Sequence, residues 1–136
     1  QIVVPIHNFV PLCRSYTAIL KLPDTIHIIT ATVCLYSGRI NPSWTMTKEE
    51  LDKLLLHIKS LPVINKPVET MMGYSGILIH SGPVRLEIFN ERISLREDGI
   101  YTNYSDLHRK LECDILQMAP KEFQHELRTG VPPGIW

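Results

Sequence analysis

Between Ile26 and Leu61 the hydrophobic repeat of the chain changes once, from every second residue to roughly every 3.6, and no other feature constrains the fold as much. Ile26 to Tyr36 is dense in Ile, Val and Thr, residue types that suit a pleated, half-buried surface. Side chains alternate along such a strand. Ile29, Ala31, Val33 and Leu35 therefore share the apolar face, and Ile28, Thr30, Thr32, Cys34 and Tyr36 share a mixed face that a second layer would partly cover. From Lys48 to about Ser60 the spacing becomes helical, with Leu51, Leu54, Leu55, Ile58 and Leu61 on one stripe. Thr47 followed three residues later by Glu50 is a capping box, Met46 and Leu51 stand at the staple positions beside it, and Pro62 ends the helix. Glu49 and Lys53 are spaced to pair on the outer face. The connection Ser37-Gly38-Arg39-Ile40-Asn41-Pro42-Ser43-Trp44 reads as a loop, because Gly38 opens a turn and Pro42 drives Asn41 out of helical conformation.

The remainder reads as a meander followed by helices. Strands are expected over Tyr74 to His80, Val84 to Phe89 and Arg92 to Arg96, with turn chemistry at Ser81-Gly82-Pro83, Asn90-Glu91 and Asp98-Gly99. Gly76 inside a strand signals a bulge or the close approach of another backbone. A second helix is expected from about Asp106 to Met118, capped by Ser105 or Asn103, with Leu107, Leu111, Ile115 and Met118 as its stripe. Pro120 and Gly130 bracket a short third helix with Phe123 and Leu127 inward. The order β-α-β-β-β-α implies an α+β domain. Its sheet, antiparallel or mixed and of about four strands, carries two main helices on one face and extended arms at both ends. The divisions are an arm over 1–25 with a short strand at Tyr16 to Leu20, one domain over 26–130, and a tail over 131–136. At 136 residues one domain can bury a core without metal or a dense disulfide framework.

Charge excludes some functions. Lys plus Arg and Asp plus Glu number 14 each, so no basic excess points to nucleic acid, and self-association meets little electrostatic resistance. No apolar run approaches the ~20 residues that span a bilayer. Cys13, Cys34 and Cys113 are too few and too widely spaced for a disulfide scaffold, though one bridge with a free thiol remains compatible. Asn103-Tyr104-Ser105 matches the glycosylation acceptor pattern. A start at Gln1 in place of Met fits a removed signal peptide and a trimmed terminus equally, which leaves the compartment open.

Two segments resemble a family of small uncharacterised domains. In that family a strand ends in Ser-Gly-Arg-Pro-Asn-Pro, then Ser or Thr and Trp, before a capped helix. Ser37 to Trp44 with Thr47 is similar, except that Ile40 stands where the family has proline. Gly73-Tyr74-Ser75-Gly76 resembles the family's next segment, which opens an apolar strand, and the likeness extends over roughly 26–118. The resemblance implies a fold unit and brings no activity, substrate or cofactor.

Candidate functional residues concentrate in the loop. Arg39 can hold a carboxylate or phosphate through two parallel hydrogen bonds, Asn41 both donates and accepts, and Trp44 suits an interface or a stacked ligand. A structural role is the readier expectation for the same residues, with Asn41-Pro42 shaping the connection, Trp44 plugging the core and Arg39 tying the loop down, since loops of this size usually just connect. Trp136 is the corresponding candidate in the tail, where the two Pro-rich ends either embrace a second subunit or pack on their own domain. His7, His27, His57, His80, His108 and His125 form no metal-ligand spacing, so no metal site and no cofactor is expected. No nucleophile elbow, phosphate loop or dinucleotide fingerprint is present. The expectation is a non-catalytic binding or protein-interaction module, with a protein partner or a second copy as ligand. The alternative is a small hydrolase-like enzyme with a cleft between loop 37–46 and loop 62–73 holding a histidine and a carboxylate.

Overall fold

The computed structural model describes residues 28–67 and 73–136; the arm over 1–25, with its expected strand, lies outside the described residues. The period change produces strand β1 (Ile29–Val33) and helix α1 (Lys48–Lys59), as the sequence predicts, but a further strand, β2 (Ser43–Met46), forms between them. The expected loop therefore ends two residues before Trp44, and β2 folds back antiparallel on β1, with Ala31 opposite Trp44. Strands β3 (Ile77–Ser81), β4 (Val84–Phe89), β5 (Arg92–Glu97) and β6 (Ile100–Ser105) complete an open sheet in the order β2-β1-β3-β4-β5-β6. Every pairing is antiparallel, so the mixed alternative falls away. Helices α2 (Lys110–Met118) and α3 (Lys121–Gly130) follow. The described residues thus hold six strands and three α-helices where about four strands and two main helices were expected.

Turn chemistry explains the meander. Asn90 and Glu91 have φ of 51° and 68°, and Asp98 and Gly99 have 49° and 82°; two successive positive values match the twist of the strands they join. The second of these turns leads into β6, a strand not expected from the sequence, whose first residues, Ile100 and Tyr101, are exposed.

Register aligns apolar side chains across the sheet. Ala31, Ile79, Leu86 and Leu95 form one row, and Val33, Ile77, Ile88, Ile93 and Tyr104 form the next. Leu51 and Ile58 of α1, Leu111, Ile115 and Leu116 of α2, and Leu127 of α3 join these rows in one cluster, so all three helices cover the same face. Val131 and Ile135 of the tail belong to that cluster too. The opposite face is buried at Thr30, Thr32, Leu78, Arg85 and Ser94. Arg85 keeps its charge compensated there by Glu87, 2.9 Å away.

The α1 cap is complete. The Glu50 backbone N–H donates to Thr47 Oγ1 at 3.1 Å, and the Thr47 N–H donates to Glu50 Oε1 at 2.8 Å. The ion pair on the outer face is Lys48–Asp52. Thr47→Ala is expected to cost about 1 kcal/mol in urea unfolding; an unchanged midpoint would mean that packing alone sets this helix end. The two sheet edges differ. Outside β6, Ile64 N–H donates to Asn103 O and Ser105 N–H donates to Pro62 O, so the 62–64 segment covers the Asn103–Ser105 end of that edge. Among the described residues nothing pairs with the outer edge of β2.

Candidate functional site

The loop between β1 and β2 is organised from below by Asn41, which is buried. Its Oδ1 accepts the Leu35 and Tyr36 backbone N–H groups, each at 2.7 Å, and its Nδ2 donates to Tyr36 O at 3.2 Å. Only a side chain with both a donor and an acceptor can satisfy this end of the strand. Pro42 then supplies only its carbonyl, which accepts from Val33 N–H at 2.9 Å, so its missing N–H costs nothing. Asn41→Ala is expected to cost about 1–3 kcal/mol for each amide it orphans, read as a lowered denaturation midpoint.

Arg39 is exposed, and its guanidinium lies 3.9 Å from the centroid of the Tyr36 ring. The Tyr36 hydroxyl donates to Glu126 of α3, and that bond, with burial, raises the phenol above its ordinary range. Trp44 is half-buried and packs against Phe123 of α3, ring centroids 6.4 Å apart. Ile40, Asn41, Trp44 and Phe123, together with Thr30, Ser43 and Thr45 from the other face, line a groove of about 300 Å³ along the β2 edge. The structure thus brings Asn41 and Trp44 into one groove with the exposed Ile40. Arg39 and Trp136 do not line it. Trp136 sits half-buried against the core, under the Arg128 guanidinium at 4.5 Å, with its indole N–H buried and unpartnered.

A second polar centre was not expected. Glu112 of α2 is fully buried. Arg109 holds it with two bonds, Nε at 2.9 Å and Nη2 at 2.8 Å; Asn90 N–H donates to it at 3.0 Å, and the Tyr74 hydroxyl donates to its other oxygen. Burial, then the Glu112 charge and the hydrogen bond to it, push the Tyr74 phenol far above its usual range. Asp106 caps α2 in place of Ser105 or Asn103, accepting Leu111 N–H at 2.8 Å and Glu112 N–H at 3.1 Å. Burial raises its carboxyl, and the two backbone donors oppose the rise. A 3₁₀ turn, Leu107–Arg109, precedes α2, with His108 and Arg109 at φ of 58° and 56°. That break exposes Leu107, and Met118 is exposed as well, so both leave the predicted stripe. The sequence signal for this centre was Tyr74 in the Gly-Tyr-x-Gly segment. Glu112 carried none, because a glutamate on a helix ordinarily reads as solvated.

Other candidates resolve simply. Cys34 is disulfide-bonded, to a partner outside the described residues, and Cys113 is free. Asn103 lies within β6 with its side-chain oxygen accepting from Arg92 at 3.1 Å. Among the described residues no three His, Cys, Asp or Glu side chains cluster as a metal site, and no helix is long and apolar enough to cross a membrane. A second groove, lined by Leu95, Glu97, Asp98, Ile100, Thr102 and Tyr104, contains carboxylates, and neither groove is lined by a histidine. Comparison with protein-family models, with curated proteins and with solved structures gives no match to this chain.

Proposed function

We propose that this domain is a non-catalytic protein-interaction module that binds its partner along the β2 edge and the groove beside it. The observation that carries the reading is the juxtaposition of Trp44, Phe123 and the exposed Ile40 beside a strand edge that no other described residue pairs with. Aromatic side chains anchored by a rigid scaffold, with an apolar rim, are the usual centre of a binding surface. Asn41 and Pro42 fix the loop so that little ordering remains to be done on binding. The test uses peptides selected from a displayed random library against the whole chain. Ile40→Asp, at a position 59% exposed, is expected to weaken their binding at least ~tenfold with the unfolding transition unchanged. Trp44→Ala should do the same with some loss of stability. Selected peptides that bind both variants as they bind the parent chain would remove the reading.

A further inference from the structure

The sheet face turned away from the helices is buried, yet among the described residues no helix or strand lies over it. Val33 and Leu35 belong to the core cluster on the helix side. Side chains alternate along a strand, so Thr30, Thr32 and Cys34 face the other way. Leu78 lies opposite Thr32, and His80 and Arg85 continue the row from Thr30. Cys34 and Leu78 are 4% and 1% exposed, but neither belongs to the core cluster. Arg85, in the middle of the same face, is 5% exposed. On a bare sheet a leucine and an arginine at these positions would stand in water. Thr30, His80 and Arg85 each carry an interaction in addition to the bonds given above. A second layer therefore covers this face.

Cysteine pairing identifies the layer. The chain has three cysteines; Cys34 is bonded and Cys113 is free, so within one chain Cys13 is the partner. We infer that the layer is the chain's own N-terminal segment, residues 1–27, strapped over the Thr32–Leu78 face by a Cys13–Cys34 disulfide. The attachment points set its course. The segment enters β1 at its first residue, Ile29, and is fixed again at Cys34, just past the last. Those points are ~20 Å apart along the strand. The residues between Cys13 and Ile28 reach about 50 Å when extended, enough to swing across β3 and β4 on the way. Composition suits the role, since only Arg14, Lys21 and Asp24 are Asp, Glu, Lys or Arg over 1–27. The stretch 68–72 holds no cysteine and is joined to described chain at both ends, which denies it this reach. Closing the bridge passes two electrons and two protons from the thiols to another disulfide, leaving that one as two thiols. The strap is therefore made where thiols are oxidised.

Digestion of the unreduced full chain tests the link, and hydroxyl-radical footprinting tests the cover. A Cys13–Cys34 peptide pair is expected from the monomer, with Cys113 alone taking iodoacetamide before reduction. In the unreduced chain Leu78, and at least one of Ile19 and Leu20, should oxidise at least ~tenfold more slowly than the exposed Leu107. Leu78 oxidation should rise at least ~tenfold in Cys13→Ser, where the segment must find the face without its tether. Ile79, on the core face of the same strand, should stay slow and so report that the variant is folded. If Ile79 speeds up as well, the variant has unfolded, and the Ile19 and Leu20 rates of the unaltered chain decide. A Cys34–Cys34 link between chains would overturn the strap in favour of a second copy. Rapid oxidation of both Ile19 and Leu20, or an unchanged Leu78 in folded Cys13→Ser, would show that the bridge holds no cover and overturn it too. No binding partner enters this test, so its outcome is independent of the β2-groove reading.

Discussion

Arg109→Met is expected to destabilise the domain by about 3–5 kcal/mol, the cost of leaving a buried carboxylate without its counter-charge. Glu112 has no access to solvent, and two of its four hydrogen bonds come from Arg109. Methionine keeps an aliphatic stem of similar length and removes the guanidinium, which bonds Glu112 and sits 5.2 Å from the Phe89 ring centroid, so the loss measured is chiefly electrostatic. It also carries the same left-handed backbone cost at this position, where φ is 56°. The comparison is Lys110→Met, which breaks an exposed pair with Asp114 one residue along and should move stability by less than about 0.5 kcal/mol. Urea unfolding of the two variants reads the difference directly. Similar midpoints would show that Arg109 contributes no more than an exposed ion pair does.

Gly76→Ala should be at least as severe, about 3 kcal/mol or more, and is expected to abolish the cooperative transition in a domain of this size. Gly76 has φ of 105°, which L side chains rarely adopt. A Cβ there would also fall inside the contact radius of the Ile88 carbonyl oxygen and lie 2.7 Å from Phe89 Cβ. The obstacle is the backbone of β4, held on both sides by β3 and β5, so it cannot move aside. Gly38→Ala is the control. Nothing lies within 4 Å of its hypothetical Cβ, and the change should stay within about 0.5 kcal/mol. Circular dichroism and thermal scans of the purified variants decide it; a folded Gly76→Ala protein would refute the close approach.

These two positions also mark what the sequence could and could not reveal. Gly76 was legible as a glycine with a steric reason, because a glycine within an apolar strand has few other uses. Thr47, Glu50 and the leucine stripe were legible because caps and helical spacing are local. β2 was not: four residues flanked by Pro42 and Thr47 are too short for alternation to register, and its identity comes from pairing with β1. The start of α2 was misplaced for a related reason. Asp106 caps from beyond an interruption at His108 and Arg109 that no local propensity announces. At the groove, Asn41 and Trp44 were named from residue type alone, and Phe123, which completes it, was visible only as an inward residue of a later helix. The Glu112 centre joins α2 to the β4–β5 turn and to Tyr74, and contacts across such separations leave no mark in a single sequence.

The unequal edges of the sheet carry a consequence for assembly. Head-to-tail growth of sheets into a fibre needs two docking rims per molecule, one to receive and one to offer. Here the 62–64 segment occupies the rim at β6 through bonds to Asn103 and Ser105. Among the described residues only the β2 rim is left wholly unpaired, and one added strand or one closed pair there would use up its free groups. The short cover over the Asn103–Ser105 end of β6 therefore hinders continued edge-to-edge growth of the sheet on that side.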